Sequence, residues 1–166
     1  MSVRRLLTAF SALFVGGALL AGLTACSAIV AMEPAEFAAS PACAAVTVRL
    51  PDSIGDGAEA IAKRETNAQA TGAWGEPTVV LLHCGVPAPP PTSELPCVTP
   101  PDGAVDWLVD DSDAPTYVFT SYGREPAVSV AVDNTMISGV SVLDALDTAV
   151  SQLPQVGACI GVDDAG

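Results

Sequence analysis

The first 25 residues determine which part of this chain is available to fold. Arg4 and Arg5 precede an apolar run over residues 6–22, which ends in the short segment Leu23-Thr24-Ala25. A basic start, an apolar stretch and a short ending with small residues, in that order, are typical of an export signal. The sequence therefore predicts that residues 1–25 are a signal peptide and that the rest of the chain folds outside the cytoplasm.

The junction after this signal resembles the lipobox of exported bacterial lipoproteins. Leu23-Thr24-Ala25-Cys26 has a leucine three residues before the cysteine and small residues between them. The resemblance implies that Cys26 is a lipidation site, carries a diacylglyceryl thioether and becomes the N-terminus after cleavage. Two acyl chains, each contributing about 0.8 kcal/mol per buried methylene, anchor a protein stably. The first predicted partner is therefore a membrane, bound through the lipid on Cys26 at the outer face of the cytoplasmic membrane.

An uncleaved transmembrane anchor is the alternative interpretation of the same segment. The apolar run is near the short end of the roughly 17–25 residues that a spanning helix needs. Both interpretations place the domain on the outer side of the membrane, because Arg4 and Arg5 are expected to stay in the cytoplasm.

The charge balance argues against nucleic acid as a partner. The 166 residues include 19 acidic and 6 basic side chains, a formal charge of −13, whereas binding to phosphates requires clustered Lys and Arg. Loss of residues 1–25 would remove Arg4 and Arg5 but no acidic residue, which leaves −15. We expect repulsion from anionic lipids to lift the domain off its membrane, within a screening length of about 8 Å at physiological salt.

Four cysteines remain when Cys26 is set aside: Cys43, Cys84, Cys97 and Cys159. An even number in an exported domain predicts two disulfides. Of the three possible pairings we favour Cys84–Cys97, across a proline-rich segment, and Cys43–Cys159, which would join the two ends of the domain. A zinc site with His83 is disfavoured, because the sequence has no CxxC pair and His83 directly precedes a cysteine.

The rest of the chain is divided into a tether at residues 26–42, a single domain at residues 43–160 and a tail at residues 161–166. Residues 52–76 are rich in Gly and Asp and are interpreted as a long loop with at most a short helix. Residues 87–101 contain seven prolines, which predicts an extended segment without regular structure.

Apolar patterns predict the main elements of the domain. Strands are expected at residues 79–82, 105–110, 117–122 and 128–133. Gly123-Arg124 fits a tight turn, which would place Arg124 at an exposed hairpin tip. Residues 142–153 follow a helical apolar rhythm that ends before Pro154, and Ser141 and Asp144 have the spacing of a capping box.

The predicted fold follows from these elements. It is α+β: a small, mainly antiparallel sheet of four to five strands, with the C-terminal helix packed on one face and two disulfides.

The sequence lacks recognisable catalytic and cofactor motifs. It contains no GxSxG, no SxxK, no P-loop and no glycine-rich dinucleotide fingerprint. The acidic run at residues 110–113 lacks the glycine and the terminal glutamate of an EF-hand and is interpreted as a solvated turn. We therefore expect no enzymatic activity, no cofactor and no metal ion.

Three residues are candidates for contact with a ligand or a protein partner. Trp74, flanked by Gly and Pro, could line a groove, although a tryptophan in such a position more often closes the edge of a core. Arg64 and Arg124 could bind an anion or a carboxylate of a partner. Ion pairing with the many acidic residues is the structural alternative for both arginines.

Several segments resemble a family of uncharacterised actinobacterial envelope proteins. They are Ala73-Trp74-Gly75-Glu76-Pro77, the run from Val80 through Cys84-Gly85-Val86-Pro87, Val105-Asp106-Trp107, and Tyr122-Gly123-Arg124-Glu125-Pro126-Ala127-Val128. The resemblance extends over most of residues 41–160 and implies the extent and location of the domain, but no activity. His83 stands where the family pattern has an arginine, which argues against anion binding at that position.

Two functions from different classes follow. The first is a non-enzymatic lipoprotein that acts as a binding or accessory module in cell-envelope assembly, with an envelope protein as a possible partner. The alternative is a small-molecule carrier or an envelope-modifying enzyme, with a site near residues 52–76 around Trp74 and Arg64. A closed cavity under that segment would favour the carrier, and a flat apolar patch would favour a protein partner.

Overall fold

The structure, a computed structural model, describes residues 28–92 and 94–159. The predicted signal peptide, the lipidation site Cys26 and the predicted tail lie outside these residues. The described part contains two α-helices, α1 (Pro41–Thr47) and α2 (Gly139–Val150), and a 3-10 helix (Gly57–Glu59). Its strands are β1 (Ser53–Ile54), β2 (Ile61–Arg64), β3 (Thr71–Trp74), β4 (Val80–Val86), β5 (Cys97–Val98), β6 (Asp106–Asp110), β7 (Thr116–Tyr122) and β8 (Ala127–Asp133).

The strands form one sheet in the order β1-β2-β3-β4-β8-β7-β6-β5, and every neighbouring pair is antiparallel. The predicted α+β class, the antiparallel sheet and the C-terminal helix are confirmed. The predicted number of four to five strands is wrong, because the sheet has eight. β1, β2 and β3 lie in the segment predicted as a long loop, and β5 lies in the proline-rich segment. Each of these strands has only two to four residues, too few for an alternating pattern to stand out.

The helix α2 covers one face of the sheet with its apolar side. It contacts β8, β1 and α1, and its buried residues include Val142, Leu143, Leu146, Ala149 and Val150. The capping box predicted at Ser141 and Asp144 is wrong, since the helix starts earlier and Ser138 is the N-cap residue. The side-chain oxygen of Asn134 accepts a hydrogen bond from the Gly139 N–H at 3.0 Å. This bond satisfies one of the free donors at the helix start.

Residues 28–38, termed the N-terminal strap, contact the sheet, although they belong to the segment predicted as a tether. Val30 forms a parallel β-bridge with Thr66, and the Phe37 N–H donates to the Gly85 carbonyl at 2.8 Å. Gly85 has φ +100°, and a Cβ at this position would overlap the backbone of Phe37 and Ala38. A glycine is therefore required where the strap crosses β4.

Two disulfides are present, as predicted, but the favoured pairing is wrong. Cys43 is bonded to Cys84, and Cys97 is bonded to Cys159. The first bridge forms because α1, which carries Cys43, packs against β4, which carries Cys84. The second forms because the chain after α2 returns to the β5–β6 edge, where the Cys159 N–H donates to the Asp106 carboxylate at 2.7 Å.

Candidate functional site

A groove of about 910 Å³ lies between the segment around the 3-10 helix and the beginning of α2. Three acidic side chains line it: Asp56 and Glu59 from the first segment, and Asp144 from α2. Its apolar lining comprises Ile61, Met136, Ile137 and Ala145. This surface is termed the acidic groove.

The local sequence explains why the carboxylates of the first wall point outward. Gly55 and Gly57 have φ values of +85° and +59°, which residues with a Cβ rarely adopt. The two glycines let the chain turn on either side of Asp56, and both Asp56 and Glu59 are exposed. The preceding Ile54 is fully buried and holds the segment against the core.

The acidic groove combines negative charge with an apolar surface. None of the residues that line it is basic, so its three carboxylates have no cationic partner within the lining. A concave surface with charges of one sign concentrates the electrostatic potential and attracts ions of the opposite sign. The groove therefore suits a positively charged ligand that also carries apolar groups.

A second, smaller pocket of about 400 Å³ lies between the β6–β7 part of the sheet and the start of α2. Its lining includes Val109, Tyr117, Phe119, Val140 and Leu143. The rings of Tyr117 and Phe119 are stacked with centroids 6.4 Å apart. This pocket is mainly apolar and contains no charged residue in its lining.

Trp74 lies in the core and does not line a groove. Its side chain is fully buried, and its indole N–H donates to the Pro51 carbonyl at 3.0 Å. Gly72 leaves room for the ring, because a Cβ there would lie 2.7 Å from the indole. Of the two interpretations of Trp74, a groove residue or a core residue, the structure shows the second.

Arg64 is occupied by contacts within the protein. Its guanidinium forms an ion pair with Glu76 at 2.6 Å and donates to the Gly75 carbonyl at 3.0 Å. It also donates to the Ala28 carbonyl at 2.7 Å. Only 10 % of its side chain is exposed, so these contacts join the strap to the β2–β3 part of the sheet and leave little surface for a ligand.

Arg124 is buried, which contradicts the predicted exposed hairpin tip. Its side chain donates to the Leu153 carbonyl at 2.9 Å and to the Ser151 carbonyl at 3.4 Å, both just beyond α2. A third bond reaches the Ala104 carbonyl at 2.8 Å. The hairpin folds against the C-terminal end of α2, where carbonyl groups favour a positive charge.

The two arginines are not brought together. Arg64 ends β2 and Arg124 follows β7, and these strands are four positions apart in the sheet. Trp74, Arg64 and Arg124 thus form no common site, and each side chain makes its polar contacts within the protein.

His83 lies half-buried on β4. Burial lowers the pKa of its imidazole below the ordinary value of 6.5, while a backbone hydrogen bond with Glu33 of the strap acts in the opposite direction. Its neighbour Cys84 is disulfide-bonded. Across residues 28–92 and 94–159, no group of three or more His, Cys, Asp or Glu side chains is placed to hold a metal ion.

Comparison with known proteins assigns the family. Residues 7–157 match the model of DUF3515, described as a protein of unknown function. The chain belongs to the DUF3515 family. No curated protein and no solved structure matches it. The resemblance to an uncharacterised family is confirmed at this level, and the actinobacterial origin that it implied stays a prediction.

Within the described part of this DUF3515 chain, neither helix is long and apolar enough to cross a bilayer.

Sequence reasoning missed the residues of the acidic groove. Asp56 and Glu59 belong to a segment interpreted as a polar loop, and Asp144 was interpreted only as a capping residue. The concentration of acidic side chains at residues 52–59 was a signal in the sequence for a negatively charged surface. Their proximity to Asp144 depends on the packing of β1 against α2, which no local pattern reveals.

Proposed function

We propose that this DUF3515 protein is an exported, lipid-anchored and non-enzymatic binding module of the cell envelope. Its acidic groove receives a positively charged, partly apolar segment of another envelope protein. The observation that carries the proposal is the groove itself, in which the carboxylates of Asp56, Glu59 and Asp144 share the lining with four apolar side chains. The alternative ligand for the same groove is a small cationic molecule.

The shape and chemistry of the groove support a polypeptide ligand. The groove is open to solvent along the side of α2 and is not the closed cavity that would favour a carrier. Met136, in its wall, is 62 % exposed, so a bound segment could bury this side chain. Burial of apolar surface would supply affinity, and the carboxylates would select for Lys or Arg.

The lining residues support a binding role more than a catalytic one. Three serines, Ser53, Ser138 and Ser141, are among the residues that line the groove. A serine nucleophile is usually activated by a neighbouring base such as histidine or lysine, and neither residue occurs in this lining.

Export and anchoring are supported by the sequence and by the cysteines. The segment before Cys26 has the order of an export signal, and the four remaining cysteines form two disulfides. Disulfides are typical of proteins in oxidising compartments. These features favour a location at the outer face of the cytoplasmic membrane, with the lipid on Cys26 as the anchor.

Site-specific photo-crosslinking in cells tests the groove. A photoreactive residue is placed at Ser141, which lines the acidic groove, or at Thr148, which is also exposed on α2 but lies outside it. The expected result is a crosslink to one envelope protein from Ser141 only, mapped to a segment rich in Lys or Arg.

A charge-reversal pair provides the control. Replacement of Asp56, Glu59 and Asp144 by Lys is expected to abolish the crosslink from Ser141. The same replacement at three exposed acidic residues outside the groove, Asp102, Asp111 and Asp113, should preserve it. Equal capture from both positions, retention after reversal of the groove, or a small molecule found in the groove would overturn the proposal.

A further inference from the structure

The N-terminal strap is fixed to the sheet from its first described residue. The Ala28 carbonyl accepts a hydrogen bond from Arg64 at 2.7 Å. The Val30 N–H donates to the Glu65 carbonyl at 2.9 Å, and the Met32 N–H donates to the Asn67 side chain at 2.7 Å. The strap therefore follows the end of β2 and the turn after it.

This attachment leaves almost no free chain between the domain and Cys26. Cys26 precedes Ala28 by two residues, and an extended chain spans at most about 3.3–3.6 Å per residue. Two residues of chain therefore reach at most about 7 Å from Ala28. A lipid on Cys26 would enter the bilayer directly beside β2.

We infer that the surface around Ile29 and Glu65 rests on the lipid bilayer, so that the anchor fixes the orientation of the domain and does not suspend it on a tether. This inference depends on the proposed lipidation of Cys26. Ile29 is 63 % exposed, and its apolar side chain stands next to the anchor point. An exposed apolar residue at that place gains burial when it enters the interfacial region of the membrane.

The distribution of charge supports the same orientation. Lys63, the only lysine of the chain, lies on β2, the strand nearest the anchor point, whereas the charge of its neighbour Arg64 is paired with Glu76. Four basic residues follow Cys26 in the whole sequence, so one lysine beside the anchor point is a notable share of the positive charge. The net charge of the domain alone favours repulsion from anionic lipids, and the short attachment and Ile29 oppose it.

Depth-dependent fluorescence quenching tests the orientation. The full-length, lipidated chain is reconstituted in vesicles of phosphatidylcholine and phosphatidylglycerol that contain a brominated lipid. Mass spectrometry first establishes whether Cys26 carries the lipid. Tryptophan is then introduced as Ile29→Trp in the strap, Glu65→Trp in the domain, or Val156→Trp as the control, and the emission of the parent chain is subtracted.

Val156 is a matched control because it is also 63 % exposed. It pairs with Gly123 at the β7–β8 hairpin, and β7 is four strands from β2, about 19 Å at the usual strand spacing. The expected result is strong quenching at positions 29 and 65 and little or none at position 156.

The outcomes separate the two proposals. Quenching at position 29 without quenching at position 65 would show a domain that hangs from a free chain, and it would overturn the inference. Equal quenching at positions 65 and 156 would also overturn it, since no side would be preferred. A chain without lipid on Cys26 would instead contradict the proposed anchoring, on which the inference rests.

Discussion

Both ends of the described chain are attached to the sheet, but by different interactions. At the N-terminal end, the strap forms a β-bridge at Thr66, and the nearby Cys43–Cys84 disulfide is fully buried. At the C-terminal end, residues 155–159 form a β-bridge between Gln155 and Arg124. Their Cys97–Cys159 disulfide joins an exposed residue to a half-buried one.

The difference shows that a disulfide can be part of a core or can hold a surface segment in place. The N-terminal bridge joins α1 to β4 inside the apolar core, so packing and covalent linkage act together there. The C-terminal segment buries little apolar surface and depends on its bridge, on Asp106 and on the buried Arg124. The N-terminal side should therefore resist reduction, and the C-terminal side should not.

Removal of each disulfide in turn tests the difference between the two ends of the chain, and it is expected to give the largest losses of stability. The loops have sequence separations of 41 and 62 residues, which on the chain-entropy model contribute about 4 kcal/mol each. Cys43→Ala with Cys84→Ala should cost about 1–2 kcal/mol more than Cys97→Ala with Cys159→Ala, because it also leaves a cavity in the core. Urea denaturation measures both losses. A larger loss from the C-terminal pair would contradict the comparison.

The glycine under the strap tests the N-terminal side alone. Gly85→Ala places a methyl group against the backbone of Phe37 and Ala38, so we expect a loss of about 3 kcal/mol or displacement of the strap. Gly57→Ala is the matched control, since Gly57 also has positive φ but has no atom within 4 Å of the added Cβ. It should cost only about 1 kcal/mol. Similar losses for the two variants, measured by urea denaturation, would show that the strap is not packed against β4.

The buried Arg124 and the half-buried Arg64 provide a third comparison. Arg124→Met removes bonds to three backbone carbonyls and should cost about 3 kcal/mol. Arg64→Met should cost about 1–2 kcal/mol, because its ionic partner Glu76 is 74 % exposed and such pairs contribute little. Thermal or chemical denaturation measures the loss of stability in each variant. A larger loss for Arg64→Met than for Arg124→Met would contradict this account of the two arginines.

The smallest expected effect is a weak dependence of the free energy of unfolding on pH, which arises from protonation of His83. Its pKa in the folded protein is below 6.5, so the unfolded chain binds a proton more readily as the pH falls through this value. The free energy of unfolding should therefore decrease from pH 7 towards lower pH, and His83→Gln should remove that part of the decrease. Asp110 and Asp133 do not interfere, since their carboxyl pKa values are lowered from 3.8 by hydrogen bonds with Ser112 and Thr135. An unchanged slope in the variant would contradict the burial of His83.

The sequence predicted those elements that contain several periods of an apolar pattern. Five or more residues make up each of β6, β7, β8 and α2. Their apolar patterns were sufficient to predict these elements from the sequence. β1 and β5 have two residues each and exist because a neighbouring strand offers hydrogen bonds. Their existence depends on the sheet and not on their own residues.

Long-range packing explains the remaining differences. The chain turns at Gly123-Arg124, as predicted, but through the four residues 123–126 between β7 and β8 and not through a two-residue turn. Nothing near this segment shows that the end of α2 will cover the arginine. The disulfide pairing likewise depends on α1 lying against β4. The acidic groove requires residues from two segments, around Asp56 and around Asp144, and it becomes visible only when the fold brings them together.

Hydrogen exchange at the two chain ends tests the central claim, that the strap belongs to the folded domain. The Val30 and Phe37 amides donate to the Glu65 and Gly85 carbonyls, and the Val156 amide donates to Gly123 at the other end. All three amides should exchange at least about 100-fold more slowly than in an unstructured chain. Under mild reduction, only Val156 should lose this protection. Exchange of Val30 and Phe37 at the rate of an unstructured chain in the oxidised protein would contradict the claim.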